Sequence, residues 1–239
     1  MHEPEPLLAI LAHHLPPALQ GWVDVGVLHA ALALILLAVL ARLSTLRLAD
    51  PPKASKLQMA MEWVYEALEN YFTRIIGPKG PQFTPLLGTF FLYIFTMNLM
   101  IIVPGFSSPT SRLAVTAALG AVAFVAVQYY GFKEKGIKYL LHFVGEPLWL
   151  APLNIPIHVI GELARPLSLS IRLFGNIFGE DTAVIVFLLL STMLASLIYV
   201  PLPFQLPMLV FAIFGGFVQA VVFTSLTAAY IAGAIAEEH

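Results

Sequence analysis

The sequence of 239 residues contains no cysteine and little charge. The absence of thiols excludes disulfides, iron–sulfur clusters and thiol catalysis, and removes the best ligands for structural zinc. Charged residues make up 11% of the chain, against about 25% in soluble proteins, while hydrophobic residues make up 59%, against about 45–50%. A soluble protein of this size needs more charged residues than this to cover its surface. The composition therefore predicts a polytopic membrane protein. The net charge of −2 also argues against nucleic-acid binding, which needs a basic patch.

Long apolar runs divide the chain into five predicted transmembrane helices, since a helix needs about 20 apolar residues to cross a bilayer. Residues 1–21 form an outer tail without Lys or Arg, which argues against a cleavable signal peptide. Three prolines, Pro201, Pro203 and Pro207, predict a turn before the last helix. The predicted fold is all-α, a single membrane domain whose last two helices are long and tilted. The predicted spans are 22–41, 83–103, 113–131, the later part of a charged helical region at 139–200, and 208–236.

Residues 53–76 predict an amphipathic helix between the first two spans. Apolar side chains recur every three or four residues on one face, and charged side chains take the other face. This pattern favours a helix lying in the membrane interface, and a short soluble helix packed on a partner is the alternative. The apolar residues are Leu57, Met61, Val64, Leu68, Tyr71, Phe72 and Ile75, and the charged residues are Lys56, Glu62, Glu66, Glu69 and Arg74.

The placement of Lys and Arg orients the chain in the bilayer. Six of the twelve basic residues lie between Arg42 and Lys79, three more lie at 133–138, and Arg112 lies in the loop between these segments. Cytoplasmic loops carry the excess of Lys and Arg, so we expect both basic loops in the cytoplasm and the N-terminus outside. Five spans then place the C-terminus in the cytoplasm. The remaining two, Arg165 and Arg172, fall inside the charged helical region rather than in a loop.

The charged helical region carries ionisable side chains at bilayer depth, where each costs at least about 2.5–3.5 kcal/mol, so such residues are usually functional. At about 100° per residue, small and polar side chains form one stripe centred on Arg172. A stripe of small residues lets another helix approach closely. The ionisable residues are His158, Glu162, Arg165, Arg172, Glu180 and Asp181. The stripe consists of Gly161, Arg165, Ser168, Arg172, Gly175, Asn176 and Gly179.

A long motif within this region resembles the signature of subunit a of the rotary (F-type) ATP synthase membrane sector. The motif is Pro166-Leu-Ser168-Leu-Ser170-Ile-Arg172-Leu-Phe-Gly175-Asn176. Other segments resemble the same family: Phe95-Thr-Met-Asn98-Leu99 with Pro104-Gly105, Pro109-Thr110 with Thr116, Gln219-Ala220, and Ala236-Glu237-Glu238-His239. The clear resemblance covers about residues 90–116 and 142–239, a little over half of the chain. The N-terminal third matches only in architecture.

The resemblance implies a stator subunit that performs no covalent chemistry and needs no cofactor. Such a subunit conducts protons through two offset half-channels to and from carboxylates of a rotating c-ring, and so couples ion flow to rotation. It implies a c-ring and peripheral-stalk b subunits as partners, and the inner membrane of a bacterium as the location. Arg172 matches the arginine that faces the ring carboxylates. An arginine stays charged in a low-dielectric groove, favours ionisation of a passing carboxyl group, and blocks proton hopping between the half-channels.

The predicted topology assigns the half-channels. Because the charged helix enters from the cytoplasmic side, we expect Glu162 with His158 in the cytoplasmic half-channel and Glu180 with Asp181 in the outer one. In the resemblance Asp181 falls at the family's channel acid, and Gln219 faces the arginine region. Asn176 and Ser168, on the stripe, complete the predicted proton-translocation residues.

One departure from the family pattern bears on the outer half-channel. Arg112 and Ala114 stand where many family members have an acid and an amide. A channel carboxylate at the third span is therefore in doubt, which makes Glu180 and Asp181 more necessary.

Other interpretations stay open for several residues. Arg165 could form a structural salt bridge with Glu162 at i,i+3 instead of acting in transport, and His158 could simply hydrogen-bond within the bundle. Asn98 is more typical of a hydrogen bond between helices than of an ion ligand. A secondary transporter is the alternative function, but it usually shows two related halves, and the N-terminal half has no counterpart of the charged helix. A haem subunit lacks paired histidines, and an intramembrane protease lacks its motif.

Overall fold

The fold is all-α in the part of the chain that a computed structural model describes, residues 25–46, 55–103, 106–136, 139, 150–198 and 205–236. The helices are α1 Val25–Thr45, α2 Lys56–Ile76, α3 Thr84–Leu99, α4 Leu113–Lys135, α5 Ala151–Ile198 and α6 Gln205–Ile235. Short 3-10 turns occupy Gly80–Gln82, Met100–Ile102 and Pro109–Ser111. Several predicted features lie outside the described residues: the outer tail, the first residues of the span 22–41 and of the amphipathic helix 53–76, most of 139–149, Pro104-Gly105, and the last three residues.

Five of these helices are long and apolar enough to cross a membrane, which confirms the predicted all-α fold with five spans. The candidate spans are Gly26–Thr45, Thr84–Ile102, Leu113–Lys135, Pro152–Leu194 and Leu206–Ile235. The sixth helix, α2, is the amphipathic one. The Ser55 side chain caps it by accepting a hydrogen bond from the Gln58 backbone N–H, and Gly77, with a φ of 87°, ends it.

The helix ends differ in places from those predicted. α4 continues to Lys135 and ends at Gly136, whose φ is 58°. α6 begins at Gln205, so Pro207 lies in its first turn and not in the preceding turn. The prediction of a turn is therefore wrong at Pro207, whereas Pro201 and Pro203 lie outside the described residues. Proline is tolerated there because the first N–H groups of a helix have no intrahelical partner.

α5 is the longest helix and carries the signature motif. Its 48 residues span about 72 Å at about 1.5 Å per residue, more than twice the hydrocarbon core of about 30 Å, so it has to cross obliquely. Pro156 and Pro166 lie inside it. Because Pro166 has no N–H, the carbonyl of Glu162 lacks its usual intrahelical donor, which lets the helix bend beside that residue.

α6 lies at the centre of the bundle, in contact with α2, α3, α4 and α5. Its buried Ala220 and Phe223 join the main hydrophobic core, to which α1, α3, α4 and α5 also contribute. A second core lies at the other end of α6, around Ile231, where Phe72 of α2 is fully buried. The apolar stripe of α2 thus packs on the bundle at this end of α6.

Gly120 marks the closest approach of α4 to α5. A Cβ at this position would lie 2.1 Å from the Ser170 hydroxyl oxygen and 2.9 Å from the Pro166 carbonyl oxygen. Replacing glycine by alanine inside a helix ordinarily stabilises it by about 0.5–1 kcal/mol. For Gly120→Ala we expect the opposite sign, a loss of about 1–3 kcal/mol, because a backbone carbonyl cannot move aside.

Thermal unfolding of the solubilised protein tests this expectation. Gly88→Ala in α3 is the matched control, since its Cβ would meet only the Leu68 methyl group at 3.6 Å, an ordinary contact. An equal rise in melting temperature for both variants would contradict the tight packing at Gly120.

Candidate functional site

One face of α5 is open. A Cβ added at Gly161, Gly175 or Gly179 would meet nothing within 4 Å, and Ser168 is exposed on the same face. Of the most apolar stretch of α5 only 11% is buried, against 22–39% for the other four candidate spans. The part of the predicted stripe formed by these glycines and Ser168 is therefore not used for packing within the described chain. It remains available for another helix.

Arg172 lies in the middle of this open face. Its side chain is exposed and makes no hydrogen bond or ion pair with any residue that the structure describes. Leu169 and Leu173, on the neighbouring face of the helix, are buried in the core. Within the described chain the guanidinium charge is thus not neutralised, although a charge on an apolar spanning helix is costly.

Asn176 and Gln219 join α5 to α6 one helical turn after Arg172. The Asn176 Nδ2 donates a hydrogen bond to the Gln219 Oε1 over 2.8 Å. Gln219 is otherwise buried, with 3% exposure. The sequence suggested that Gln219 lies near the arginine region only because it resembles a family residue. The hydrogen bond shows that Gln219 lies beside Asn176, one helical turn after Arg172.

The two acids beyond Arg172 face different neighbours. Glu180 lies against α6 at Gly215, where an added Cβ would stand 2.0 Å from its Oε1. Asp181 lies against the Ser111 side chain, in the turn Pro109–Ser111. Both carboxylates are partly buried. Adjacent residues on a helix point about 100° apart, so the pair reaches two separate elements.

A chain of hydrogen bonds stands next to these acids. The Asn98 Nδ2 donates to the Gly216 carbonyl over 2.9 Å, and the Thr110 hydroxyl donates to the Asn98 Oδ1 over 2.5 Å. The Ser108 and Thr110 hydroxyl oxygens are 2.7 Å apart. The predicted hydrogen bond of Asn98 between helices is confirmed. Sequence reasoning missed Ser108 and Ser111, whose only signal was their place beside Pro109-Thr110.

A second polar cluster surrounds Glu162, which is 9% exposed. One carboxylate oxygen forms an ion pair with Arg165, and the other accepts a hydrogen bond from the Gln128 Nε2 over 3.1 Å. The Arg165 guanidinium lies 5.2 Å above the centre of the Tyr230 ring. The Tyr139 hydroxyl donates to the Gln128 Oε1 over 3.0 Å. The expected salt bridge between Glu162 and Arg165 is therefore present.

Sequence reasoning missed Gln128, Tyr139 and Tyr230. Gln128 was detectable as an amide inside an apolar span, but the tyrosines carried no signal of their own. His158 is half-buried one turn before Glu162. Burial raises the pKa of the Tyr139 phenol above its ordinary value of 10.0, and the Glu162 carboxylate raises that pKa further, so the phenol is a donor at neutral pH.

The polar residues thus form two clusters on either side of Arg172 along α5. Their groups are suited to holding and passing protons. Among the described residues no group of three or more His, Asp or Glu side chains is close enough to bind a metal ion.

The family model described as ATP synthase A chain matches residues 25–232. The chain belongs to this family. It is 42% identical to ATP synthase subunit a 1 of Syntrophotalea carbinolica over 90% of this chain and 87% of that protein. It is 38% identical to ATP synthase subunit a of Trichlorobacter lovleyi, over 90% and 88% of the two chains, and 37% identical to that of Geobacter sulfurreducens, over 90% and 89%.

This membership of the ATP synthase A chain family confirms the resemblance drawn from the Pro166–Asn176 motif. It also supports the assignment of the chain to ATP synthesis and proton transport in a membrane. The match extends to residue 25, well beyond the segments in which the resemblance was visible from motifs. The N-terminal third from residue 25 onward therefore belongs to the same family domain.

Proposed function

We propose that this chain is the stator subunit a of an ATP synthase membrane sector, and that it conducts protons between the membrane surfaces and the carboxylates of a c-ring. The observation that carries the proposal is Arg172, a charge without a partner in the described chain, on an open face of small residues. A ring of helices that each present one carboxylate would cover this face and supply the missing counter-charge. The chain itself catalyses no covalent reaction.

The chemistry of arginine suits this role. Its guanidinium stays protonated even in a low-dielectric groove, so a carboxyl group that approaches Arg172 loses its proton more readily. Since the side chain does not release a proton, protons cannot hop past it along the stator. A proton that enters from one side of the membrane must therefore be carried by a carboxyl group of the rotating ring to reach the other side. Moving one charge through 100 mV releases about 2.3 kcal/mol, which drives rotation.

The two polar clusters are the proposed half-channels. Glu162 lies ten residues before Arg172, about 15 Å along the helix axis, and Glu180 and Asp181 lie eight and nine residues after it, about 12–14 Å. The positive-inside rule places the Glu162 cluster with His158 toward the cytoplasm and the acids Glu180 and Asp181 toward the outside. Asn176, Gln219 and Ser168 lie between the clusters and hold water or the ring helix beside Arg172.

The relatives named subunit a come from bacteria, which supports an inner-membrane location with the N-terminus outside and the C-terminus in the cytoplasm. The proposed partners are the c-ring and peripheral-stalk b subunits. Affinity purification of the tagged chain should recover both. Recovery of the chain alone would favour a secondary transporter.

Labelling of single cysteines from each side of the membrane tests the half-channels. The chain has no native cysteine, so each introduced thiol is the only reactive one. We expect a membrane-impermeant thiol reagent to label His158→Cys from the cytoplasmic side and Ser111→Cys and Glu180→Cys from the outside. Leu173→Cys, at a fully buried position, should react from neither side. Labelling with the two sides exchanged would refute the assignment.

A further inference from the structure

Gln128 and Tyr139 form a hydrogen-bonded pair beside the proposed cytoplasmic half-channel. The pair links α4 and the segment after it to Glu162 on α5: Tyr139 hydroxyl to Gln128 amide, and Gln128 amide to Glu162 carboxylate. Arg165 binds the other carboxylate oxygen. Each oxygen of Glu162 therefore has a partner of its own.

The order of donors and acceptors in this pair follows from chemistry. An ionised carboxylate only accepts hydrogen bonds, so the amide must turn its NH₂ toward Glu162 and its carbonyl oxygen toward Tyr139. Tyr139 satisfies that carbonyl because its phenol is protonated and donates. The hydroxyl of Tyr139 thus supports the amide orientation that serves an ionised Glu162.

Tyr139 is itself held firmly. It is 4% exposed, and its ring packs on the backbone of Gly131, where a Cβ would lie 2.6 Å from the ring. The ring also makes an edge contact with Phe132, with centroids 4.9 Å apart. The glycine allows the ring to lie flat against α4, so that its hydroxyl reaches Gln128, one turn earlier on the helix.

The same pair can serve a protonated Glu162. A carboxylic acid donates from its O–H, so the amide can turn over and accept that proton with its carbonyl while its NH₂ donates to the Tyr139 oxygen. The Glu162 carboxyl group and the Gln128 amide thus each keep a hydrogen-bond partner in either state, which matters because an unsatisfied group in a dry interior is costly.

We propose that Gln128 and Tyr139 are positioning residues for proton transfer at Glu162, holding its carboxylate in place while it gains and loses a proton. The proposal rests on the proposed function, in which Glu162 belongs to the cytoplasmic half-channel. The other titratable or charged groups around Glu162 are Arg165 and His158 on α5 and Tyr230 on α6. Arg165 pairs with the first carboxylate oxygen, and Tyr230 contacts Arg165.

The test measures ATP-driven acidification of inverted vesicles that contain the whole ATP synthase, as a function of bath pH, which is the pH on the cytoplasmic face. For Gln128→Leu we expect pumping to fall about tenfold, and the pH of half-maximal pumping to rise by about one unit, because loss of a donor disfavours the ionised carboxylate and one unit is a tenfold change in proton affinity. Tyr139→Phe should move the profile in the same direction by less.

The double variant separates positioning from general damage. Since Tyr139 acts through Gln128, Gln128→Leu with Tyr139→Phe should be no worse than Gln128→Leu alone. Tyr129→Phe is the matched control, because it removes the same hydroxyl from an exposed tyrosine next to Gln128. This control should keep the parent pH profile.

Two outcomes would overturn the inference: assembled Gln128→Leu complexes that keep the parent pH profile, or additive losses in the double variant. If Gln128→Leu fails to assemble, the isosteric Tyr139→Phe decides by the same pH profile. An Arg172→Lys variant tested in parallel separates the two proposals. Normal pumping by Arg172→Lys would refute the proposed function, whereas loss of pumping there with unchanged Gln128 and Tyr139 variants would refute this inference alone.

Discussion

Replacing Arg172 by lysine is expected to abolish ATP-driven proton pumping, with a fall of at least about 100-fold, equivalent to about 2.7 kcal/mol or more. Lysine retains a positive charge, but its ammonium group can release a proton in an apolar groove. A releasable proton lets protons leak between the half-channels. Once it has lost that proton, the lysine is neutral and no longer favours deprotonation of a ring carboxyl group. The effect should not arise from misfolding, because Arg172 is exposed and makes no hydrogen bond or ion pair within the described chain.

Acidification of inverted vesicles by the assembled enzyme measures this effect. Thr192→Val is the control, because it changes an exposed side chain of α5 outside the two clusters without altering charge or shape. We expect that variant to pump at a rate within about twofold of the parent, as is usual for an exposed substitution that removes no essential contact. Robust acidification by the Arg172→Lys enzyme would refute the proposed role of the arginine.

Replacing Gly215 by alanine is expected to reduce proton pumping by about 10- to 100-fold. Misplacing a reacting group by about 1 Å lowers a reaction rate by a factor of this size. The added Cβ would lie 2.0 Å from the Glu180 Oε1 and 2.6 Å from its carboxyl carbon, so the carboxylate must leave its position. A flexible side chain can move without unfolding the helix pair. Assembly and thermal stability should therefore change little while pumping falls.

Gly233→Ala provides the matched control for this prediction. It makes the same substitution in the same helix, but its Cβ would meet nothing within 4 Å. Equal pumping rates for the two alanine variants, with both complexes assembled, would show that the position of Glu180 does not matter and would leave Asp181 as the outer acid.

Much of the fold was predictable because the bilayer imposes simple rules on sequence. Each span needs about 20 apolar residues, so the five spans could be read from hydropathy, and the amphipathic pattern of α2 separated it from them. The ends were less predictable. α4 runs on through Lys133 to Lys135 because long basic side chains can reach the membrane surface from a continuing helix.

The candidate site was only partly predictable. Arg172 stood out because a charge in a span is rare, and the surrounding motif identified the family. The i,i+3 spacing likewise predicted the pair of Glu162 and Arg165, since both residues lie on one helix. Gln128 and Tyr139 could not be found in this way, because Gln128 lies 34 residues from Glu162 and Tyr139 is linked to Glu162 only through Gln128.

The sequence by itself determined which residues lie on one face of one helix, and therefore the open stripe with Arg172 at its centre. Only the tertiary structure decided what each of the other polar residues faces. Glu180 and Asp181 are neighbours in sequence, yet one reaches Gly215 of α6 and the other reaches Ser111. The physical reason is that helical periodicity determines the direction of a side chain, whereas its neighbour depends on how closely another helix can approach, which here depends on glycines at the contacts.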